Sequence, residues 1–322
     1  MTAVYITIDT EYSFGLAKRK GVDTREENFA RSIACRTPSG DVGIFHQMDV
    51  MEANDCRGVF FVDPLPALVW GIDAISDIVA PIVARGHDVQ LHMHTEWLEL
   101  AGADNPLGDR TGRNMADFTR AEQAKLIALG KDLLMEAGAP APIAFRAGNY
   151  GANDATLRAL AQNGIRYDSS HVPGIAHSEC QLTLDRDVQQ VVEHETVREV
   201  PVGTIRSFGG LRHGQVTALS AAELGAAVRF AAGTRVPMLN VVSHSFELMS
   251  RDRKRANALL RRRFGKFCRA IARTKDAHSA TFASRPPRLG EETGVASMPH
   301  SPPRSAARMV EQLVSNTLYG SG

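Results

Sequence analysis

Three things are scarce in this chain of 322 residues: cysteine, an excess of charge of either sign, and long apolar runs. The four cysteines, Cys35, Cys56, Cys180 and Cys268, lie far apart and form no CxxC pair. That spacing fits reduced thiols better than a disulfide framework or a cysteine-based zinc site. Lys plus Arg is 37 and Asp plus Glu is 36, a formal net charge of +1. Nothing global therefore attracts nucleic acid or an anionic surface. The most apolar stretch, Gly58 to Ala84, is interrupted by Asp63, Asp73 and Asp77. No segment reaches the run of about 18–20 uncharged apolar residues that a membrane span needs. The opening MTAVYITIDTEYSFG shows no basic region, no long apolar core and no small-residue cleavage site. The expectation is a cytoplasmic protein. There is no internal repeat.

What remains is the composition of a soluble globular protein, 43% hydrophobic and 23% charged, long enough for one large domain or two ordinary ones. Residues 3–8 are β-rich and stop at Asp9. Short strands are expected at 58–62, 88–92, 143–145 and 238–242, and two strand-like pieces within 187–202. Helices are expected at 42–54, 66–85, 118–138, 154–163 and 219–232, with Thr119 and Asn153 as N-caps. Strand then helix, repeated six or seven times, predicts an α/β fold with a parallel sheet closed into a barrel.

Residues 251–275 carry eleven basic side chains and one acid, Asp252, a local charge of +10 that leaves −9 for the rest of the chain. Leu260, Phe264, Phe267 and Ile271 fall at helical spacing. This predicts a last helix packed on the domain with a solvated basic face. The sharper alternative is a contact surface for anionic lipid or a charged substrate. Residues 276–303 hold five of the fifteen prolines and read as an extended, poorly ordered linker. Ser301 and Pro302 then open a short docking helix, residues 304–322. Its apolar face, Val310, Leu313, Val314, Thr317 and Leu318, is expected to pack on the domain or on a partner. The division is thus a barrel domain over 1–275, a linker, and a docking helix.

Four clusters sit where strands end, the place where parallel α/β folds build sites. The first is TIDTE. Asp9 and Glu11 lie just past a strand, where one carboxylate can act as base and the other can hold a metal. A turn cap by Asp9 is the plain alternative. In the second, GHDVQLHMHTEW, His92 and His94 are two apart and point to one side of an extended segment. Both imidazoles can then reach one ion at ~2.0–2.1 Å. His87, in the turn before, reads as a surface histidine. The third, FRAGNYG, places Arg146 at a strand end before a glycine-bearing loop. The fourth, LNVVSHSFEL, places His244 at the end of an apolar strand. The plain alternative for the third is an ordinary turn with a surface arginine, and a lone histidine placed like His244 is more often a packed, hydrogen-bonded residue than a catalyst.

The order of these four clusters, from about Val4 to Leu248, resembles that of the NodB-type polysaccharide deacetylases, carbohydrate esterases that remove N-acetyl groups from sugars. The resemblance implies an irregular (β/α) barrel of about seven strands, with the basic helix and tail appended. It implies Asp9 as catalytic base, His244 as catalytic histidine, and Arg146 as the residue that orients Asp9. It also implies a divalent metal, zinc first, held by Glu11 and His92. Where the family pairs two aspartates, this chain has Asp9-Thr10, so Glu11 takes the metal role. Where the family places its second histidine, this chain has Glu96, so the third ligand is His94 or Glu96. His94 is favoured because two imidazoles leave more charge on the ion. Tyr150, Trp97 and Asn149 would wall the substrate pocket; His171 and His213 are weaker candidates. The implied activity is hydrolysis of an amide, an N-acetyl group of a saccharide or saccharide precursor. The alternatives are a small non-sugar amide as substrate, or a non-catalytic saccharide-binding or regulatory role. The implied partner is an acetylated saccharide or small amide and not nucleic acid, with a weak membrane-surface contact through 251–275 as the further option.

Overall fold

Strand β1 (Thr2–Thr10) is the axis of the molecule, and all nine of its residues are buried. The computed structural model describes residues 1–175, 177–290 and 297–320. The chain continues through α1 (Phe14–Lys20), α2 (Ile44–Glu52), β2 (Val59–Val62), α3 (Asp73–Ala84), β3 (Asp88–Met93) and α4 (Arg120–Glu136). It then forms β4 (Ala144–Ala147), α5 (Asp154–Gln162), β5 (Tyr167–Asp168), β6 (Val192–His194) and β7 (Val197–Glu199). After a hairpin of 204–207 with 210–213 come α6 (Ala221–Gly233), β8 (Met238–His244), α7 (Ala258–Arg273), β9 (Ala277–Ala280) and α8 (Pro302–Tyr319). Thr119, Asn153 and Ser220 cap α4, α5 and α6, each in a capping box.

The sheet runs β8-β1-β2-β3-β4-β5-β7-β6, with β9 beside the first half of β1. Every pairing is parallel except β6 with β7. Strands covered on both faces read as short apolar runs, which is why VFFV of β2 and LNVV of β8 were legible as strands. The gap between the sheet's ends is bridged by irregular chain. Gly203 donates to the Asn240 carbonyl at 2.8 Å, and Val216 to the Val242 carbonyl at 3.0 Å. The result is an irregular (β/α) barrel of nine strands rather than seven. The additions are β5, two residues long and too short to show a period, and β9.

β9 corrects the linker expectation. Residues 277–280 pair with Thr2 to Tyr5, filling the part of β1's edge that β2 leaves open. Residues 291–296 of that stretch, and 321–322 of the tail, lie outside the described residues. The basic helix is shorter than 251–275. Asn257 caps it, its side chain accepting from Leu259 and Leu260 at 3.1 Å, and turns occupy 251–256. Leu260, Phe264, Phe267 and Ile271 are buried as the spacing implies. The basic face is not wholly solvated, because Arg263 is buried too. It donates to the carbonyls of Val216 and Thr217 and pairs with Glu311 of α8 at 2.7 Å.

α8 docks the other way round from the sequence reading. Its buried residues are Ser305 and Arg308. Met309, Val310, Leu313, Val314 and Leu318 face outward. The surface beneath is polar: Glu223 of α6 receives Arg308 at 3.2 Å, and Arg263 of α7 receives Glu311. Two arginines in low-dielectric surroundings demand carboxylates more strongly than five aliphatic side chains demand cover. No helix among the described residues is long and apolar enough to cross a membrane. His87 is also corrected. It is buried, accepting from the Gly58 amide at 3.0 Å and facing Glu52 at 3.0 Å on its other nitrogen.

Candidate active site

Parallel strands bring their carboxyl ends to one rim, and the register sets which residues meet there. Asp9 stands opposite His244 and Phe61, and His92 opposite Arg146. The rim therefore gathers Asp9 from β1, His92 from β3, Arg146 from β4 and His244 from β8. Glu11 and His94 follow one step beyond their strands.

Glu11 Oε2 lies 3.1 Å from His92 Nε2 and 2.6 Å from His94 Nε2. These three donor atoms lie within 4.8 Å of one another. The opposite nitrogen of each ring is held. His92 Nδ1 donates to the Arg146 carbonyl at 2.7 Å, and His94 Nδ1 to Glu96 at 2.9 Å. Such outer partners fix the tautomer that leaves Nε2 free for an ion. Two imidazoles and a carboxylate are a donor set that zinc and similar divalent ions accept. The backbone of His94 is extended (φ −98°, ψ 96°), so His92 and His94 point to the same side. Glu96 is turned to the far side of His94, away from the Nε2 atoms. Burial pushes the Glu11 carboxyl up, but the charge of His94 and the hydrogen bonds of both histidines prevail and hold it well below the usual range. Burial lowers His94, and Glu11 more than reverses that.

Beside this triad stands a second set. The Arg146 guanidinium, fully buried, donates to Asp9 Oδ1 at 2.5 Å, to Thr7 Oγ1 and Ser169 Oγ at 3.1 Å, and to the Ser169 carbonyl at 3.1 Å. It lies 4.3 Å over the Phe61 ring. Four such contacts leave the arginine no freedom, and hence fix one oxygen of Asp9. The other, Oδ2, faces His244 Nε2 at 3.8 Å. His244 Nδ1 meets Glu247 at 2.8 Å. Burial lowers the imidazole's pKa, but Glu247, then Asp9 and Glu11, raise it to about 9.

Asn149 borders the cleft above the cluster, and its amide reaches Asn114 at 3.3 Å. Tyr150 packs against Val172, Val202 and Val242. Both hold positive φ, 54° and 57°, at the turn after β4. Trp97 borders the cleft from beneath with no exposed surface, its ring edge-on to Phe14 and Trp70. It shapes the floor and offers no open wall. His171 is buried, its backbone amide donating to Glu199 at 3.0 Å, and His213 bonds Gln215; neither joins the cluster.

Two residues went unread in the sequence. Glu247 braces His244 from three positions on, across a tight turn, and also receives Ser243 at 3.0 Å. Asp63 ends β2 as Asp9 ends β1, so the strand-end rule that found the others was available for it. It is fully buried; that burial pushes its carboxyl up to about 7 against the pull of His94 and His92. One of its oxygens accepts from Leu65, and the other has no partner.

No family model matches the chain, and no curated protein matches it. Among solved structures it is similar to a Mycobacterium smegmatis protein assigned as a polysaccharide deacetylase, with TM-score 0.54 and 15% identity over 91% of this chain and 95% of that one. It is similar also to a family 4 carbohydrate esterase from Streptomyces lividans (TM-score 0.47, 12% identity, 92% and 98% covered). A polysaccharide deacetylase from Bacillus cereus matches as well (TM-score 0.44, 13% identity, 88% and 95% covered). The first of these establishes the class of fold: the chain is an irregular (β/α) barrel of the kind that the Mycobacterium smegmatis protein adopts.

Proposed function

We propose that the chain is a metal-dependent amide hydrolase that removes N-acetyl groups from a saccharide or saccharide precursor. The observation that supports this reading best is the convergence of His92 Nε2 and His94 Nε2 on Glu11, next to an Asp9 carboxylate held by Arg146. Glu11, His92 and His94 would hold a divalent ion, which would supply the Lewis acidity to polarise an amide carbonyl and make water more acidic.

The remaining steps belong to the protein. Arg146 takes Asp9 Oδ1, so Oδ2 is the oxygen left to accept a proton from the attacking water. His244, held protonated by Glu247, presents Nε2 toward the same space and donates to the departing amine. Arg146 acts through Asp9 and is a positioning residue. Glu96 positions His94 in the same sense. The test is an acetate-release assay on zinc-reconstituted protein with N-acetylated sugars and small non-sugar amides. Acetate from the sugars supports the reading. Turnover of non-sugar amides alone moves the activity to that class, and no turnover with metal bound contradicts hydrolysis.

A further inference from the structure

The cleft over the metal-type cluster is lined by two acids, Glu11 and Glu96, one histidine, His94, hydroxyls, aromatic rings and one guanidinium, that of Arg253. The three fully buried arginines each meet a carboxylate: Arg146 with Asp9, Arg263 with Glu311, and Arg308 with Glu223. Arg253 is half-buried and has no ion pair among the described residues. It donates to Ser32 Oγ at 3.3 Å and lies over the Phe246 ring, 4.1 Å from its centre. A partly desolvated cation without a paired carboxylate is costly. Glu11 across the cleft attracts it without pairing, and Arg31, whose own partner is Glu27, adds like charge.

Phe246 also stacks on His244, with ring centres 5.2 Å apart and planes 30° from parallel. The guanidinium is thereby tied to the residue proposed to protonate the leaving amine, two ring spacings away. Arg253 lines the same cleft as Glu11 and His94. Guanidinium is planar and forked, and pairs best with carboxylate or phosphate.

We infer that Arg253 binds an anionic group, a carboxylate or a phosphate, carried by the substrate beside its scissile amide. The inference rests on the deacetylase reading for where the scissile amide lies. It narrows the substrate from acetylated saccharides in general to those bearing negative charge on or next to the acetamido sugar. Arg253 is on this account a specificity residue and takes no part in proton transfer.

The test titrates three sugars into the protein by calorimetry: N-acetylglucosamine, its 6-phosphate, and N-acetylmuramic acid. Each is titrated into zinc-reconstituted wild type, Arg253→Gln and Arg253→Lys, and acetate release is followed in parallel. Wild type should bind at least one of the charged sugars about 10–100-fold more tightly than the neutral one, the range of a charge-assisted hydrogen bond. Arg253→Gln should abolish that preference and leave the neutral sugar unchanged, and Arg253→Lys should keep part of it. Which charged sugar leads tells phosphate from carboxylate. Equal affinity for all three sugars in wild type would overturn the inference. So would an equal loss for charged and neutral sugars in Arg253→Gln, which would mean that Arg253 only seats Phe246. A charge preference without acetate release would contradict the deacetylase reading and leave the anion site standing.

Discussion

Among the places where this protein buries ionisable groups, two treat them differently. At the strand ends, Arg146 and Glu247 are fully engaged in holding Asp9 and His244, whose Oδ2 and Nε2 are left facing each other at 3.8 Å, while His92 and His94 turn Nε2 toward Glu11. At the C-terminus, Arg263, Arg308 and Glu223 are paired too, but their pairs join helix to helix, Arg263 with Glu311 and Arg308 with Glu223. The first arrangement holds chemistry ready; the second fastens α8. Its consequence is a helix that sits polar side down, with Leu313 70% exposed. Burial of charge therefore marks a site only where an unused polar atom remains.

The comparison can be broken at either end. The largest effect belongs to Asp9→Asn, which keeps the shape but cannot take a proton. Activity should fall about 10²–10⁴-fold with metal content unchanged, read by acetate release and elemental analysis. Arg146→Met leaves Asp9 buried without its counter-charge. Unfolding in urea should show a loss of about 3–5 kcal/mol, as for a broken buried pair. In the fastening region, Arg308→Ala strands Glu223 and should destabilise measurably, while Leu313→Ser on the outward face should change stability by less than about 0.5 kcal/mol. If Leu313→Ser instead costs several kcal/mol, α8 is seated by its apolar face after all.

The pH dependence sharpens the same contrast. His244 has its folded pKa raised to about 9, above its ordinary value. It is protonated at neutral pH, and the rate should fall as pH rises through about 9. Its contribution to stability is likewise complete below the unfolded pKa and is lost through that upper range. Glu247→Gln removes the main support and leaves the burial. The alkaline limb of the rate profile should move to lower pH, and an unmoved limb would mean that another group controls it.

Much of the strand-end site was legible because position and residue type agree there. Asp9, Arg146 and His244 each follow an apolar run and His92 ends a strand of alternating polarity, and parallel strands must deliver those ends to one rim. Glu247 was not legible, since its role depends on a turn that folds it back onto His244. The third ligand could not be fixed from composition alone; it depended on whether the chain after β3 stays extended. β9 was hidden in a proline-rich stretch because its four residues pair with a gap that only the register of β2 on β1 creates. α8 misled because apolar spacing states which face could be buried, not what lies beneath. The surface below is set by Arg263 and Glu223, at a distance in sequence that no local pattern spans.

The central claim is that Glu11, His92 and His94 form one divalent-metal site with Glu96 behind it. The direct measurement is bound zinc per chain, by elemental analysis after reconstitution and dialysis, in wild type, His94→Ala and Glu96→Ala. The account predicts one zinc in wild type, loss in His94→Ala, and retention with weakened affinity, by about 10–100-fold, in Glu96→Ala. No zinc in wild type, or loss in Glu96→Ala alone, would contradict it.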